Sequence, residues 1–264
     1  MLVLIKGAGD LASGVALRFY NSGFSVVMTD LPHPTAIRRT VAFSPAITEG
    51  EAVVEGVRAL YAGTPERALE IAARGDIAVL ADERAQCVAA IKPPALVDAI
   101  LAKRNTGTAM SDAPVVVALG PGFTAGRDCH AVVETKRGHY LGKVYYEGSA
   151  AENTGRPGDI GGYTVERILR APCEGIFLPL KKIGDTAAAG ETVATVAGMP
   201  VVAAIGGVVR GMLPEGTPVF AGMKSGDVDP RGVAEYCLSV SDKARAVAGG
   251  ALEAVLHLSR GALR

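Results

Sequence analysis

The chain has 264 residues, and its 27 lysines and arginines are balanced by 27 aspartates and glutamates. That length can bury one large core or two ordinary ones. With no basic excess to neutralise a phosphate backbone, nucleic acid is a disfavoured partner. Glycine is abundant, at 33 residues, and clusters between apolar runs, which marks tight turns and close backbone approach. Cys87, Cys129, Cys173 and Cys237 are widely spaced, without C-x-x-C pairs, as expected of a reducing compartment. No apolar run reaches the ~20 residues that span a bilayer, and the start "MLVLIKGAGD" lacks a signal-peptide pattern. The expectation is a cytoplasmic protein with no membrane partner.

The opening "LVLIKGAGDLASGVALRFYNSGFSVVMTD" reads as strand, glycine turn, amphipathic helix, a stop at Gly23 and a second strand ending in Asp30. Gly7-x-Gly9-x-x-Ala12 fits the alanine-ending dinucleotide fingerprint, with Ala8 and Asp10 inside the turn. Asp30 stands where a ribose-binding carboxylate is expected, ~20 residues on. The bland alternative is a turn that merely joins strand to helix, with Asp10 as its cap. Asp10 would repel a bare pyrophosphate, so the bound group would be metal-bridged or held mainly by its ring system.

Arg38 and Arg39 open a short helix and suit a solvated face. "AVVEGVRAL" reads as one strand. "TPERALEIAARG" is a helix capped by Thr64 with Pro65 at its first position, and "DIAVLAD", "ALVDAILAK" and "APVVVALG" are strands. This alternation predicts a mostly parallel sheet covered by helices. Beyond about residue 130, "HAVVETKRG" and "GKVYYEG" are strand-like. Gly175, Gly184 and Gly190 then recur as Gly207, Gly216 and Gly222, an offset of 32 residues. Two such halves bury what one cannot. The pattern resembles the flattened barrel of biotinyl and lipoyl carrier domains. The corresponding tip, "TVAGMPVVA", has no lysine to modify, so a carrier module is disfavoured. The last helix carries apolar residues at Ala244, Val247, Ala248, Ala251, Leu252 and Val255, with Ser241 or Asp242 as cap. Gly249 and Gly250 within it imply close packing.

These elements predict an α/β protein in three parts. A Rossmann-like ligand-binding domain covers 1–145. A β-rich domain at 146–238 contains the biotinyl/lipoyl-like repeat at about 168–236, and a C-terminal helix at 239–264 packs back on the first domain.

The densest functional stretch is "LGPGFTAGRDCHAVVETKRGH". In a strand, His130 and Glu134 would stand about 13 Å apart, too far to share an ion, so no metal site is assigned. No cysteine is singled out as a low-pKa nucleophile, and no catalytic residue is assigned. A site made by backbone remains, because glycine loops after parallel strands present N–H groups where open α/β sheets bind ligands. The candidates are Gly7, Ala8, Gly9, Asp10 and Asp30, together with Gly120, Gly122, Phe123, Thr124 and Gly126. Thr135, Arg137 and His139 form a polar row along an extended chain, with Glu134 opposite. Phe123 would stack on a flat ring. The rival reading makes this loop a long structural turn with Phe123 in the core.

Four long segments, "IKGAGDLASGVALRFYNSGFSVVMTDLPHPTAIRRTVAFSPAI", "LGPGFTAGRDCHAVVETKRGHYLGKVYYEGSA", "NTGRPGDIGGYTVERILRAP" and "DVDPRGVAEYCLSVSDKARAVAGG", resemble the accessory proteins of selenium-dependent molybdenum hydroxylases. They are more distantly similar to xanthine dehydrogenase accessory proteins. The resemblance covers nearly the whole chain. It implies a maturation factor, more a cofactor-handling protein than a classical enzyme. Such a factor would transiently bind molybdenum cofactor, or a nucleotide, and present it to a molybdenum hydroxylase apo-enzyme. A homo-oligomer is compatible with it. The thiols at Cys129 and Cys173 fall where the family needs none, which weakens a scheme that carries selenium on cysteine. An NAD(P)-dependent oxidoreductase is the alternative that the fingerprint supports.

Overall fold

The computed structural model describes residues 1–155 and 157–260. In chain order the elements are β1 (Leu2–Lys6), α1 (Asp10–Asn21), β2 (Ser25–Asp30), α2 (Ala46–Glu49), β3 (Glu51–Val54), β4 (Val57–Tyr61), α3 (Pro65–Ala73), β5 (Ile77–Ala81), α4 (Val88–Ile91), β6 (Ala95–Asp98), β7 (Val115–Leu119), β8 (Ala131–Val133) and β9 (Val144–Tyr145). There follow β10 (Ile168–Arg170), β11 (Gly175–Pro179), β12 (Thr186–Ala187), β13 (Thr192–Val196), β14 (Met199–Val202), β15 (Gly207–Met212), β16 (Pro218–Val219), β17 (Lys224–Asp229) and α5 (Asp242–Leu258). The chain divides into unit 1, made of Met1–Pro34, Ala42–Thr154 and Val240–Arg264, and unit 2, made of Thr35–Val41 and Gly155–Ser239. Unit 2 therefore takes a short piece from the N-terminal third, and residues 146–154 stay with unit 1.

Unit 1 is a mixed α/β layer structure around a nine-stranded sheet in the order β3-β4-β5-β2-β1-β6-β7-β8-β9. Every pair from β4 to β8 is parallel, and only the edge strands β3 and β9 run the other way. Interior strands such as Val115–Leu119 are buried along their whole length. Such continuous apolar runs are what a sheet covered on both faces requires. The strand order reverses at β1, and the C-terminal ends of β1 and β6 lie side by side at that reversal.

Three expectations change here. The strand read over 95–103 ends at Asp98, beyond which Leu101 and Lys103 take left-handed backbone (φ 59° and 62°). The run read as one strand over 52–60 is a hairpin, because Glu55 and Gly56 both take positive φ (48° and 81°) and reverse the chain between β3 and β4. The strand after residue 130 ends at Val133. The Glu134 carboxylate accepts a hydrogen bond from the Lys136 backbone N–H (2.7 Å), which folds the chain out of the ladder. The helix expected over 239–264 is α5, and its last four expected residues lie outside the described ones. Ser241 caps it by accepting from Ala244 N–H (3.1 Å). It packs on α1 so closely that a Cβ at Gly14 would stand 2.7 Å from the Ala244 Cβ.

Unit 2 holds two four-stranded antiparallel sheets, β10-β17-β15-β12 and β14-β13-β11-β16. The 32-residue offset is a structural repeat: β11, β12 and β13 correspond to β15, β16 and β17. Each copy lends its short second strand to the other copy, β12 pairing with β15 and β16 with β11. Gly175 and Gly207 open their copies with the same backbone, at φ 155° and 156°. Phe177, Val193, Val196, Val209, Met212 and Val228 fill the space between the sheets.

Candidate functional site

β1 is apolar until Lys6, and the chain then turns on Gly7, whose φ is 96°. A Cβ there would stand 3.0 Å from the Ala99 carbonyl oxygen, so the position requires glycine. The Ala8 N–H donates to Asp30 Oδ2 (2.8 Å), and the Ala8 carbonyl accepts from Ser13 Oγ (3.1 Å). Gly9, extended at φ −69° and ψ −177°, is the N-cap of α1 and brings no side-chain cap. The first-turn N–H groups of α1 therefore lie outside its internal ladder, at the positive end of the helix. Asp10 sits half-buried in that turn. Asp30 also accepts from Leu31 N–H (2.7 Å) through Oδ1. Both of its oxygens thus serve the turn first. Burial pushes its pKa up, against the lowering effect of those two N–H groups.

Sequence reasoning missed the charged residues beside this turn. Lys6 and Asp98, the paired last residues of β1 and β6, are buried. Lys6 Nζ donates to Thr108 Oγ1 (2.6 Å), and Thr108 Oγ1 donates to Asp98 Oδ2 (2.6 Å). The available signal was a charge ending each of the apolar runs "LVLIK" and "ALVD". Lys243, in the first turn of α5, is the second omission. Burial lowers its pKa, the Arg137 guanidinium adds to that, and the Asp10 and Glu134 carboxylates oppose it. Glu134 is itself buried and held by Lys136 N–H and Ala151 N–H (2.8 Å). Asp10, Glu134, Arg137 and Lys243 thus form one electrostatic group beside the turn, brought together by α1, the end of β8 and α5.

The loop over 119–126 is fastened from within. A Cβ at Gly120 (φ 78°) would stand 2.5 Å from Thr135 Oγ1, and one at Gly122 (φ 103°) 2.5 Å from Arg104 Cα. Thr124 N–H donates to Asp128 Oδ2 (2.8 Å), its Oγ1 meets Ser149 Oγ (3.0 Å), and Gly126 N–H donates to the Cys129 carbonyl (2.8 Å). Phe123 is 3% exposed and belongs to the apolar cluster with Leu96, Val116 and Val132. The stacking role expected for Phe123 is therefore corrected, since its ring is committed to the core. The polar row is corrected too, because the pleat it needs ends at Val133. Thr135 is buried, Arg137 forks onto Asp242 (2.6 and 2.9 Å), and His139 is exposed against Tyr140. His130 Nδ1 accepts from Val116 N–H (3.0 Å). Burial pushes the Cys87 and Cys129 thiols up to about 12. Among the described residues no three His, Cys, Asp or Glu side chains converge on an ion site. A groove of about 730 Å³, lined by Lys92, Pro93, Ser111 and Pro114 among others, lies at the opposite ends of β6 and β7.

The chain is a mixed α/β protein with a large, mainly parallel sheet in one unit and antiparallel sheets in the other. No family model matches the chain. It is 51% identical over 257 residues to the uncharacterized protein YqeB of Escherichia coli (strain K12), an alignment covering 97% of this chain and 48% of that protein. The chain thus spans about half the length of this curated relative. A crystal structure of an aspartoacylase family protein from Mesorhizobium loti aligns over 86% of this chain and 84% of that one, at 12% identity and a TM-score of 0.28. Among the described residues no helix is long and apolar enough to cross a membrane.

Proposed function

We propose that the chain is a maturation factor for molybdenum hydroxylases of the xanthine dehydrogenase type, selenium-dependent members included. On this reading unit 1 is Rossmann-like and takes a phosphate-bearing pterin or nucleotide, molybdenum cofactor being the cargo, for delivery to the apo-enzyme. The observation that carries the reading is the Gly7–Asp10 turn. It ends β1 at the reversal of strand order, opens α1 without a side-chain cap, and has the Lys243 ammonium close enough to Asp10 to feel its charge, while Arg137 is forked onto Asp242. Helix N–H groups with an ammonium beside them suit a phosphate, and Asp10 in the same turn favours one that is metal-bridged or held mainly by its ring system. The choice of a pterin over another phosphate ester comes from the resemblance of the long motifs. Unit 2 is on this reading a biotinyl/lipoyl-like module used for recognition. Its β13–β14 turn, Ala197–Gly198, offers no lysine for a swinging arm.

The nicotinamide alternative is the second reading, because Asp30 accepts one backbone N–H at each oxygen and keeps a further lone pair on each for a ribose hydroxyl. Calorimetric titration of the intact chain with molybdopterin and, separately, with NAD and NADP tests the proposal. Molybdopterin binds and Gly9→Val weakens it more than about tenfold, or ~1.4 kcal/mol, while thermal stability stays within a few degrees. Tighter binding of NAD or NADP would overturn it, as would an unchanged molybdopterin affinity in the variant.

A further inference from the structure

We propose that unit 2 carries an anion site of its own, for a doubly charged tetrahedral oxyanion, built by the guanidiniums of Arg210 and Arg38 beside Asp229, with Arg231 at its rim. The site begins with a defect in a strand. Between Val209 and Gly211 the register of β15 on β17 shifts, leaving Arg210 as the extra, bulged residue. A bulge re-aims a side chain that regular pleating would send elsewhere.

The neighbouring segment is laid along the same strand. Met212 N–H donates to the Ile37 carbonyl (2.8 Å), and Arg39 Nε donates to the Met212 carbonyl (3.0 Å). Arg38 is carried between these ties. It is 9% exposed, unlike the solvated pair expected from sequence, and its Nη2 reaches the carbonyls of Tyr236 and Ser239 (3.4 Å each). Arg210 is 6% exposed, and its Nε is buried without an acceptor among the described residues. Its Nη1 meets Asp229 Oδ2 at 3.1 Å. That carboxylate also accepts from Arg231 through the backbone N–H (3.1 Å), Nε (2.9 Å) and Nη2 (2.6 Å). Asp229 is therefore crowded with donors and has little left for Arg210.

Burial and the nearby charge of Arg38 both lower the pKa of Arg210, Asp229 opposing them. Two buried guanidiniums carried on segments that run side by side, one with an uncommitted donor, are stabilised by an anion that accepts from both. Arg231, exposed and stacked on the Tyr236 ring (4.6 Å), is the member of the group that reaches solvent. Planar donor forks match a tetrahedral oxyanion better than a halide.

The test follows the arginine Nε–H signals of the ¹⁵N-labelled full chain during titration at fixed pH and ionic strength. One arm uses inorganic phosphate and the other phenyl phosphate, which separates a free anion from the end of a phosphomonoester. The Arg210 signal, identified by its loss in Arg210→Lys, shifts saturably in at least one arm with Kd below about 1 mM. Arg38→Lys weakens that binding about tenfold or more. Arg231→Gln, at the exposed rim, provides a second weakened variant should Arg38→Lys fail to fold. Gly9→Val leaves the Arg210 response intact, so loss of the unit 1 site and loss of this one are told apart. No saturable shift at Arg210 up to roughly 20 mM in either arm would overturn the proposal, as would the same affinity in wild type and the folded variants.

Discussion

Lys243 shows how much of the site depends on residues that carry no motif. Burial and Arg137 lower its pKa, so between its folded value and the ordinary lysine value of about 10.4 the unfolded chain binds more protons than the folded one. Stability therefore rises with pH through that window, and the destabilising cost of charging Lys243 is present below it. Urea unfolding of wild type and Lys243→Gln at stepped pH between about 7 and 10 checks this. The variant loses this part of the pH slope; identical slopes would show that Lys243 stays fully solvated. Gly7, Gly9 and Asp30 were legible because a turn that must pass another backbone has a short fixed vocabulary. Lys6, Asp98, Thr108 and Lys243 were not legible, since they meet through strand order and helix packing. Phe123 misled for the opposite reason. A ring inside a glycine loop has the same appearance in sequence whether it faces a ligand or the core.

α5 separates packing from propensity at two adjacent positions. The paired glycines imply a close neighbour, and the structure gives one only to Gly250, where an added Cβ would collide with the Gly142 carbonyl and stand 2.8 Å from Val133 Cγ1. Gly249 has nothing within 4 Å. Gly249→Ala thus stabilises by up to about 1 kcal/mol, and Gly250→Ala destabilises by about 1–3 kcal/mol. Thermal melts would place these roughly 2–4 °C above wild type and several degrees below it; a matched response at both positions would contradict this packing of α5. Helices such as α1, α3 and α5 were readable from apolar spacing together with end signals such as Gly23, Thr64, Pro65 and Ser241. The β3–β4 hairpin was missed because Glu-Gly is a weaker turn signal than Asn-Gly, although Glu55 takes the same left-handed backbone. β8 was read too long because the local bond from Lys136 N–H to Glu134, which competes with the ladder, leaves no mark on apolar alternation.

At the scale of the whole molecule, two sequence signals carried the architecture. Alternation of strands and helices indicated the large parallel sheet, and the 32-residue glycine offset indicated two related copies. The pairing of β12 with β15 and of β16 with β11 was beyond reach, because strands of two residues have no period. The return of Thr35–Val41 to unit 2 was likewise hidden, since no local pattern reports which sheet a connecting segment will join. On the proposed function, molybdenum cofactor binds at the Gly7–Asp10 turn and unit 2 is unmodified. Native mass spectrometry of the intact chain, purified from a host that makes the cofactor, tests it most directly. The expected result is a non-covalent adduct of molybdopterin mass that Gly9→Val abolishes, and a denatured mass without a lipoyl or biotinyl addition on Lys181, Lys182 or Lys224. A nicotinamide adduct, or a lipoyl or biotinyl group on any of those lysines, would contradict it.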